Sequence, residues 1–321
     1  MLKDLLGRFA ALRAPGPYEG RWIHHHPAST HDFHIVFGVM THGDEVGPLP
    51  AALRLMAELA DGTTPYGGAV TVTIGNPEAG LKGRRFLEDD LNRVFIEGPP
   101  SHERRRAREM MAALDDCHLF IDLHQTGVPS LAAFWTLPWS EPAWHWIRIA
   151  GDGDVWTTRA PGGSFAEGRR CGDEYVRDRG LPGLTLELGL KGFTHEAEAR
   201  AYSAMTRTLA AAEHLAKGDE LAALASTRPD ARFLVTAHKE PFGDPARTLR
   251  PGLRYFEPVV AGQELQDPAS GPKVVVPMDG FLLFPKYPAR NAKGVAIEPV
   301  PTDLFHVTQE APEHPTTLFA R

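Results

Sequence analysis

Four short runs, 33-FHIVFGVM-40, 69-AVTVTIG-75, 118-HLFIDLH-124 and 184-LTLELG-189, constrain this chain more than any other feature. Each is rich in Val, Ile, Leu and Phe and apolar on both faces, whereas a strand with one face in water alternates. Such runs belong to a sheet covered on both sides. The stretches 48-PLPAALRLMAELA-60, 101-SHERRRAREMMAALDDC-117 and 194-THEAEARAYSAMTRTLAAAEHLAKG-218 carry helical spacing. The last has Thr194 as N-cap, Glu196 and Glu198 in its first turn and Gly218 just past its end, so its boundary signals agree. Strands alternating with helices imply an α/β class with a mostly parallel sheet.

After about Ser226 the pattern changes. The runs 232-RFLVTAHK-239, 274-VVVP-277, 280-GFLLFP-285 and 295-VAIEPV-300 are short, strand-like and separated by Gly, Pro and Asp. They predict a small C-terminal all-β domain over 227–321, following an α/β domain over 1–226. At roughly 150 residues per domain, 321 residues suit two.

Lys and Arg number 34 against 41 Asp and Glu, a formal charge of −7. No global positive field exists to hold nucleic acid or an anionic membrane. No apolar run approaches the roughly 18 residues that cross a bilayer. The opening MLKDLLGRFAALRAP reads as a surface helix, without the apolar core and cleavage site of a signal peptide. Only Cys117 and Cys171 are present, with no CxxC spacing, which suits a reducing, cytoplasmic setting. A homo-oligomer is compatible with the sequence but not dictated by it.

The run 35-IVFGVMTHGDEVG-47 passes from a strand directly into Thr-His-Gly-Asp-Glu, placing His42 and Glu45 on one turn. The run 118–124 ends on His124. In open α/β sheets ligands gather beyond the carboxyl ends of the strands, so parallel neighbours would bring these residues to one edge. Two histidines and a glutamate make a plausible catalytic zinc site, one ion per chain, with a fourth position for water. Glu187 interrupts an otherwise apolar strand. A buried carboxylate there is costly unless a metal, a cation or a catalytic task retains it, so Glu187 is the candidate general base; the plainer alternative is a buried ion pair with an arginine. The excursion 75-GNPEAGLKGRRFLEDDLNRVF-95 brings Arg85, Asn92 and Arg93 into one polar loop, where arginine forks suit an acidic substrate.

Other features read more plainly. The tract 24-HHH-26, with no acid at ligand spacing, is assigned to a loop or strand edge. Trp135, Trp139, Trp144 and Trp146 read as packing, with the lining of an acyl pocket as the alternative. Cys117 and Cys171 read as inert. Asp122, two residues before His124, is a candidate for orienting a ligand.

In order, GVMTHGDEVG, 76-NP-77, an R-x-x-x-x-DLNR-x-F pattern ending in 90-DLNRVF-95, 121-IDLH-124 and 186-LELG-189 resemble the succinylglutamate desuccinylase/aspartoacylase family, which is related to zinc carboxypeptidases. The resemblance runs from about Phe33 to Gly189 and more weakly beyond. It implies a carboxypeptidase-like fold with a mixed, mostly parallel sheet, zinc on His42, Glu45 and His124, and hydrolysis of an N-acyl amide bond. Glu187 resembles the family's general base and acid, and Arg85 the arginine that polarises the scissile carbonyl. Asn92 and Arg93 resemble residues that orient the substrate carboxylate, and Arg177 a further substrate-binding arginine. The first motif reads Gly43-Asp44-Glu45 where the family usually has asparagine in the middle. After Glu187 comes Leu188-Gly189-Leu190-Lys191 rather than the Gly-Pro-Gln of aspartoacylases. Tyr287 is the candidate for their C-terminal substrate tyrosine.

These residues predict removal of a short acyl group, of acetyl or succinyl type, from an N-acyl amino acid or related amine. Two other readings share the residues: a metallocarboxypeptidase acting on small or cell-wall peptides, and a non-catalytic protein that keeps the metal for binding.

Overall fold

The computed structural model describes residues 1–14, 16–158, 168–268, 271–296 and 300–318. Eleven strands form one sheet: β1 (Ile23–His26), β2 (His34–Val39), β3 (Ala69–Ile74), β4 (Leu119–Thr126), β5 (Phe134–Thr136), β6 (Val155–Thr158), β7 (Gly183–Leu190), β8 (Arg232–Pro241), β9 (Pro258–Val259), β10 (Gly280–Leu283) and β11 (Asp303–Glu310). Their order across the sheet is β1-β3-β2-β4-β7-β5-β6-β8-β11-β10-β9. The central strands β3, β2, β4 and β7 are parallel, as the doubly apolar runs require. β1 closes one edge antiparallel to β3 and carries the histidine tract. The helices are α1 (Leu2–Leu12), α2 (Leu49–Asp61), α3 (Pro77–Leu81), α4 (His102–Asp115), α5 (Glu141–Ala150), α6 (Gly172–Arg177), α7 (His195–Ala216), α8 (Leu221–Ser226) and α9 (Pro315–Leu318).

Alternation along the central strands separates two layers. Ile35, Phe37, Leu119, Ile121 and Leu123 pack in the core formed with α1, α2, α5 and α7. Val36 and Phe120 point the other way, against α4 and α6. Asp122 and His124 share the parity of Phe120, so strand period alone directs them to the α4/α6 side as β4 reaches its carboxyl end.

After Ser226 the described elements are β8, β9, β10, β11 and the short α9, and those strands extend the central sheet: β8 pairs in parallel with β6, and β11, β10 and β9 follow antiparallel. The segment keeps a core of its own around Phe242, Leu265, Leu282 and Phe305. The run 274–277 is not a strand. Val276 N–H donates to Gln263 and Leu265 N–H to Val274, giving one isolated bridge, and Pro277 has no N–H with which to continue a ladder. The run 295–300 falls partly on 297–299, outside the described residues; Ala296 forms an isolated bridge with Arg290, and its N–H donates to Pro245 O. Among the described residues, no helix is long and apolar enough to cross a membrane.

Candidate metal centre

β2 and β4 are parallel neighbours in register from Ile35↔Leu119 to Val39↔Leu123, so their carboxyl ends lie side by side. The chain leaves β2 through Met40, whose φ of 54° is left-handed. Such a conformation is costly for a bulky residue and recurs where the surroundings force a functional turn. Two and five residues later His42 and Glu45 arrive beside His124, all three at most 3% exposed. One ligand atom from each lies within 4.8 Å of the others.

The hydrogen bonds around this trio decide which atoms face inward. His124 Nε2 lies 2.8 Å from Asp122 Oδ2, and His42 Nε2 lies 3.1 Å from Asp90 Oδ1. Both Nδ1 atoms turn to Glu45, at 2.9 and 2.8 Å. A carboxylate on Nε2 holds the proton there and leaves the Nδ1 lone pair for a metal. His42 Nε2 also lies 2.6 Å from Arg85 Nη2, a contact that requires the other tautomer; ligation through Nδ1 selects the Asp90 arrangement. The donor set of two imidazoles and a carboxylate, each imidazole backed by an acid, therefore fits one divalent ion.

The same groups interact electrostatically. Burial disfavours a charged Glu45, yet His42 and His124 hold its carboxyl well below the usual range. Burial also opposes a charged His124, and Asp122 and Glu45 overcome it, raising this imidazole well above its ordinary value. Asp122 is itself fixed by Thr41, whose hydroxyl donates to Oδ1 at 2.7 Å. Gly38 is required here, because a Cβ at that position would lie 2.6 Å from Asp122 Oδ1.

Glu187 pairs across the sheet with His124. Burial, with a smaller contribution from the nearby Glu45, pushes its carboxyl up to about 7 against the pull of His124, His42 and Arg85. Its Oε2 is buried and makes no hydrogen bond. A buried acceptor without a donor is rare and calls for a ligand, an ion or water. The buried ion-pair alternative receives no support among the described residues, where no arginine or lysine lies in ion-pair range of Glu187.

Arg85 Nη1 donates to Glu45 Oε1 at 3.1 Å, and Nη2 reaches Asp90 Oδ2 at 3.4 Å. Its loop is held by a residue that the sequence presents only as part of a charged helix. Glu103, fully buried, accepts from the backbone N–H groups of Leu87, Glu88 and Asp89 and from the Asn76 amide. Gly43 meets the same loop so closely that a Cβ would lie 2.4 Å from Gly80 N and 2.7 Å from Arg84 O.

A cavity of about 210 Å³ opens over these groups and brings together His42, Glu45, Arg85, Asn92, Arg93, His124 and Glu187. Asn92 Oδ1 accepts from Gly172 N–H at 3.1 Å, and Arg93 donates to Cys171 Sγ at 3.3 Å. Arg177 is not on the lining. It stands behind the wall, where Nη1 donates to Asp173 Oδ2 at 2.5 Å and to Gly183 O at 2.9 Å, and Asp173 in turn borders the cavity. Burial keeps the Cys171 thiol protonated, well above its ordinary pKa. The tryptophans pack rather than line: Trp139 and Trp144 stack on Trp156 at 5.2 and 5.8 Å. Tyr287 donates to Arg250 O at 2.8 Å, away from the cavity; the tyrosine at the site is Tyr255. Tyr255, Phe284, Lys286 and Gln125 are among the lining residues sequence reasoning missed. The first three come from a segment whose strand pattern gave no hint of its approach. Gln125 adjoins a motif and clamps the metal loop, accepting from Gly47 N–H at 2.7 Å and donating to Leu190 O at 2.9 Å.

Comparison with known proteins agrees with the geometry. Residues 36–214 match the family model of the succinylglutamate desuccinylase/aspartoacylase catalytic domain. A succinylglutamate desuccinylase of Yersinia pestis (strain Pestoides F) is 32% identical over 196 residues, 54% of this chain and 57% of the relative. The chain thus spans little more than half the length of the curated relatives it matches. Among solved structures, a succinylglutamate desuccinylase from Vibrio parahaemolyticus superposes with a TM-score of 0.66 at 18% identity, over 92% of this chain and 87% of the other. Murine aminoacylase 3 gives 0.60 at 19% identity, over 89% of this chain and 96% of the other. With a family model that covers more than half its length, and with a buried His-Glu-His group fit for one metal ion, the chain belongs to the succinylglutamate desuccinylase/aspartoacylase family of metal-dependent deacylases.

Proposed function

We propose that this protein hydrolyses the amide bond of an N-acyl amino acid or related amine, releasing a short acyl group of acetyl or succinyl type, with one zinc ion per chain on His42, Glu45 and His124. The observation that carries this reading is the buried, unpartnered Glu187 oxygen beside the His-Glu-His group. The names of the relatives, desuccinylases and an aminoacylase, favour the same reaction class.

A zinc ion there would supply a Lewis acid and lower the pKa of water to about 7. The chain's own groups account for the rest. Glu187, poised by burial near neutrality, accepts a proton from the attacking water and delivers it to the leaving nitrogen. Arg85 donates hydrogen bonds to the carbonyl oxygen as negative charge develops on it. Asn92 and Arg93, on the wall next to Arg85, orient the substrate carboxylate. Arg177 acts at one remove, through Asp173.

Residues 227–321, read as a β unit after a catalytic unit over 1–226, contribute Tyr255, Phe284 and Lys286 to the cavity. A cavity of about 210 Å³ roofed in this way favours a small acyl amino acid over a peptide laid in an open groove.

The test is Glu187→Gln, assayed on a panel of N-acetyl, N-succinyl and N-formyl amino acids with zinc measured on the same samples. We expect the wild type to release acid from at least one substrate, and the variant to keep about one zinc per chain with turnover abolished. Retained turnover would overturn the role of Glu187. Full zinc in the wild type with no release from any substrate would favour the peptidase reading.

A further inference from the structure

Beyond Arg93, Thr136, Phe284 and Lys286 the reaction cavity continues into a second and larger one, of about 460 Å³, which shares those four residues. It lies along the sheet. Thr136 of β5 pairs with Thr157 of β6, Thr158 of β6 with Val235 of β8, Lys239 of β8 with His306 of β11, and His306 with Leu283 of β10. Thr157, Thr158, Thr236, Lys239 and His306 all line the chamber.

Among the described residues its charge is one-sided. Of these, Arg93 and Lys286 stand at the junction, with Lys239 and Arg169 further out, against the single carboxylate of Asp303. That carboxylate is already engaged by His306 Nε2 at 3.2 Å. Among the described residues, no acid lies within ion-pair range of the amino groups of Lys286 or Lys239. Lys286 is half-buried, and burial and the neighbouring Arg85 lower its pKa, while its amino group sits 5.2 Å from the Phe284 ring. A half-buried ammonium without a counterion is a standing electrostatic cost that an anion would relieve. Phe284 itself has a left-handed φ of 51°, and such strain is kept where surrounding structure demands it. That turn ends β10 and delivers Lys286 to the junction.

We propose that this chamber is an extension of the reaction cleft that takes a carboxylate carried at a distance from the scissile bond, so that the substrates this chain prefers are acyl amines with a remote acidic group. Neighbouring strands are about 4.8 Å apart, and Thr157 on β6 is two strands from Glu187 on β7, which sets the reach at about 10 Å. The ammonium of Lys286 is met first, the hydroxyls of Thr157 and Thr236 follow, and Lys239 closes the far end. The proposal rests on the deacylase reading only for which end of the ligand lies at the metal.

Binding can be read without turnover. Linear dicarboxylates, succinate, adipate, suberate and sebacate, are titrated calorimetrically into the zinc-loaded full chain beside monocarboxylates of equal length, so that apolar contact cancels in the ratio. The ratio of diacid to monoacid affinity should climb with length, to about tenfold for suberate or sebacate, whose carboxylates span the required distance. Lys239→Glu should bring the sebacate ratio back towards one, and Lys286→Met should lower it at least severalfold. Lys239 is exposed, so its substitution leaves the core intact. A ratio that does not depend on length, or one that neither substitution changes, overturns the proposal. A deacylase assay that fails on every substrate leaves these binding results standing, so the two failures are distinguishable.

Discussion

Two groups of buried or half-buried histidines sit among the described residues, and their surroundings differ in kind. At the carboxyl ends of β2 and β4, His42 and His124 are ringed by Glu45, Asp90 and Asp122. At the β1 edge, His24, His25 and His34 meet hydroxyls and backbone instead. His34 Nδ1 faces Asp116 O at 3.1 Å and its Nε2 faces Thr71 Oγ1 at 2.8 Å, with His25 Nδ1 on the same hydroxyl at 2.8 Å. With one proton on each ring this chain is satisfied: His25 donates to Thr71, Thr71 to His34, and His34 to the carbonyl. A second proton on His34 would set two donors against each other. The same residue type is thus a candidate metal ligand where carboxylates meet both ring nitrogens, and a neutral packing group where hydroxyls and backbone do.

The largest effect that separates the groups is acid sensitivity. Burial lowers His34 and His24 from about 6.5 to about 4. The unfolded chain therefore binds protons that the folded one refuses, and stability is lost as pH falls from the unfolded value through the folded one. Above pH 6.5 neither state is charged and the term vanishes. At about 1.36 kcal/mol per pH unit, each ring contributes a loss of up to about 3 kcal/mol by pH 4. His34→Gln removes one ring's share. In urea unfolding, the stability difference between wild type and variant should shrink by that order between pH 7 and pH 4. A difference constant with pH would mean that His34 is not held neutral.

The second effect lies in the carboxylate-ringed group. Asp122→Asn keeps the shape of the partner while withdrawing the charge behind His124 Nε2, and loss of such a supporting acid typically costs 10- to 100-fold in metal affinity. Zinc titration against a competing chelator reads this directly. Thermal unfolding gives a second view: zinc at about 100 times its Kd should stabilise the wild type by about 2.7 kcal/mol, and Asp122→Asn should need proportionally more zinc for the same gain. His25→Asn should leave zinc affinity unchanged. If it weakens zinc binding as much as Asp122→Asn does, the contrast between the two groups fails.

The same contrast explains what could be read beforehand. His42, Glu45, His124 and Glu187 were legible because each sits in or just after a doubly apolar run, where a polar residue stands out and the strand end fixes its destination. Asp122 was visible for the same reason. Asp90 and Glu103 were not, because an acid in a polar loop or on a charged helix looks like a solvated one until the fold buries it. Glu103 collects four donors drawn from two separate stretches, a convergence that spacing along the chain does not encode. Tyr255 and Lys286 escaped notice because the strands after Ser226 continue the central sheet, and that pairing brings distant loops over the metal group. Tyr287 was the more visible tyrosine, yet its neighbour Lys286 is the one turned inward. In a strand-like run adjacent residues face opposite ways, so a position misjudged by one names the wrong side chain.

The smallest effect tests whether burial, and not mere proximity, makes an acid matter here. Asp44 lies next to the candidate ligand Glu45 in sequence and pairs with Lys191 Nζ at 2.5 Å, tying its loop to the end of β7. The Lys191 side chain is 46% exposed, against 2% for Asp122 and for its partner His124. An ion pair open to water on one side is usually worth no more than about 1 kcal/mol and weakens with salt. Gln125 already clamps the same loop from within. Lys191→Met should therefore cost less than about 1 kcal/mol in urea unfolding, with a cost that declines as salt is added and with zinc affinity unchanged. A larger loss that salt does not reduce, or a fall in zinc affinity approaching that of Asp122→Asn, would place Lys191 among the groups that build the metal centre and would shift the boundary between the two environments outward to the rim.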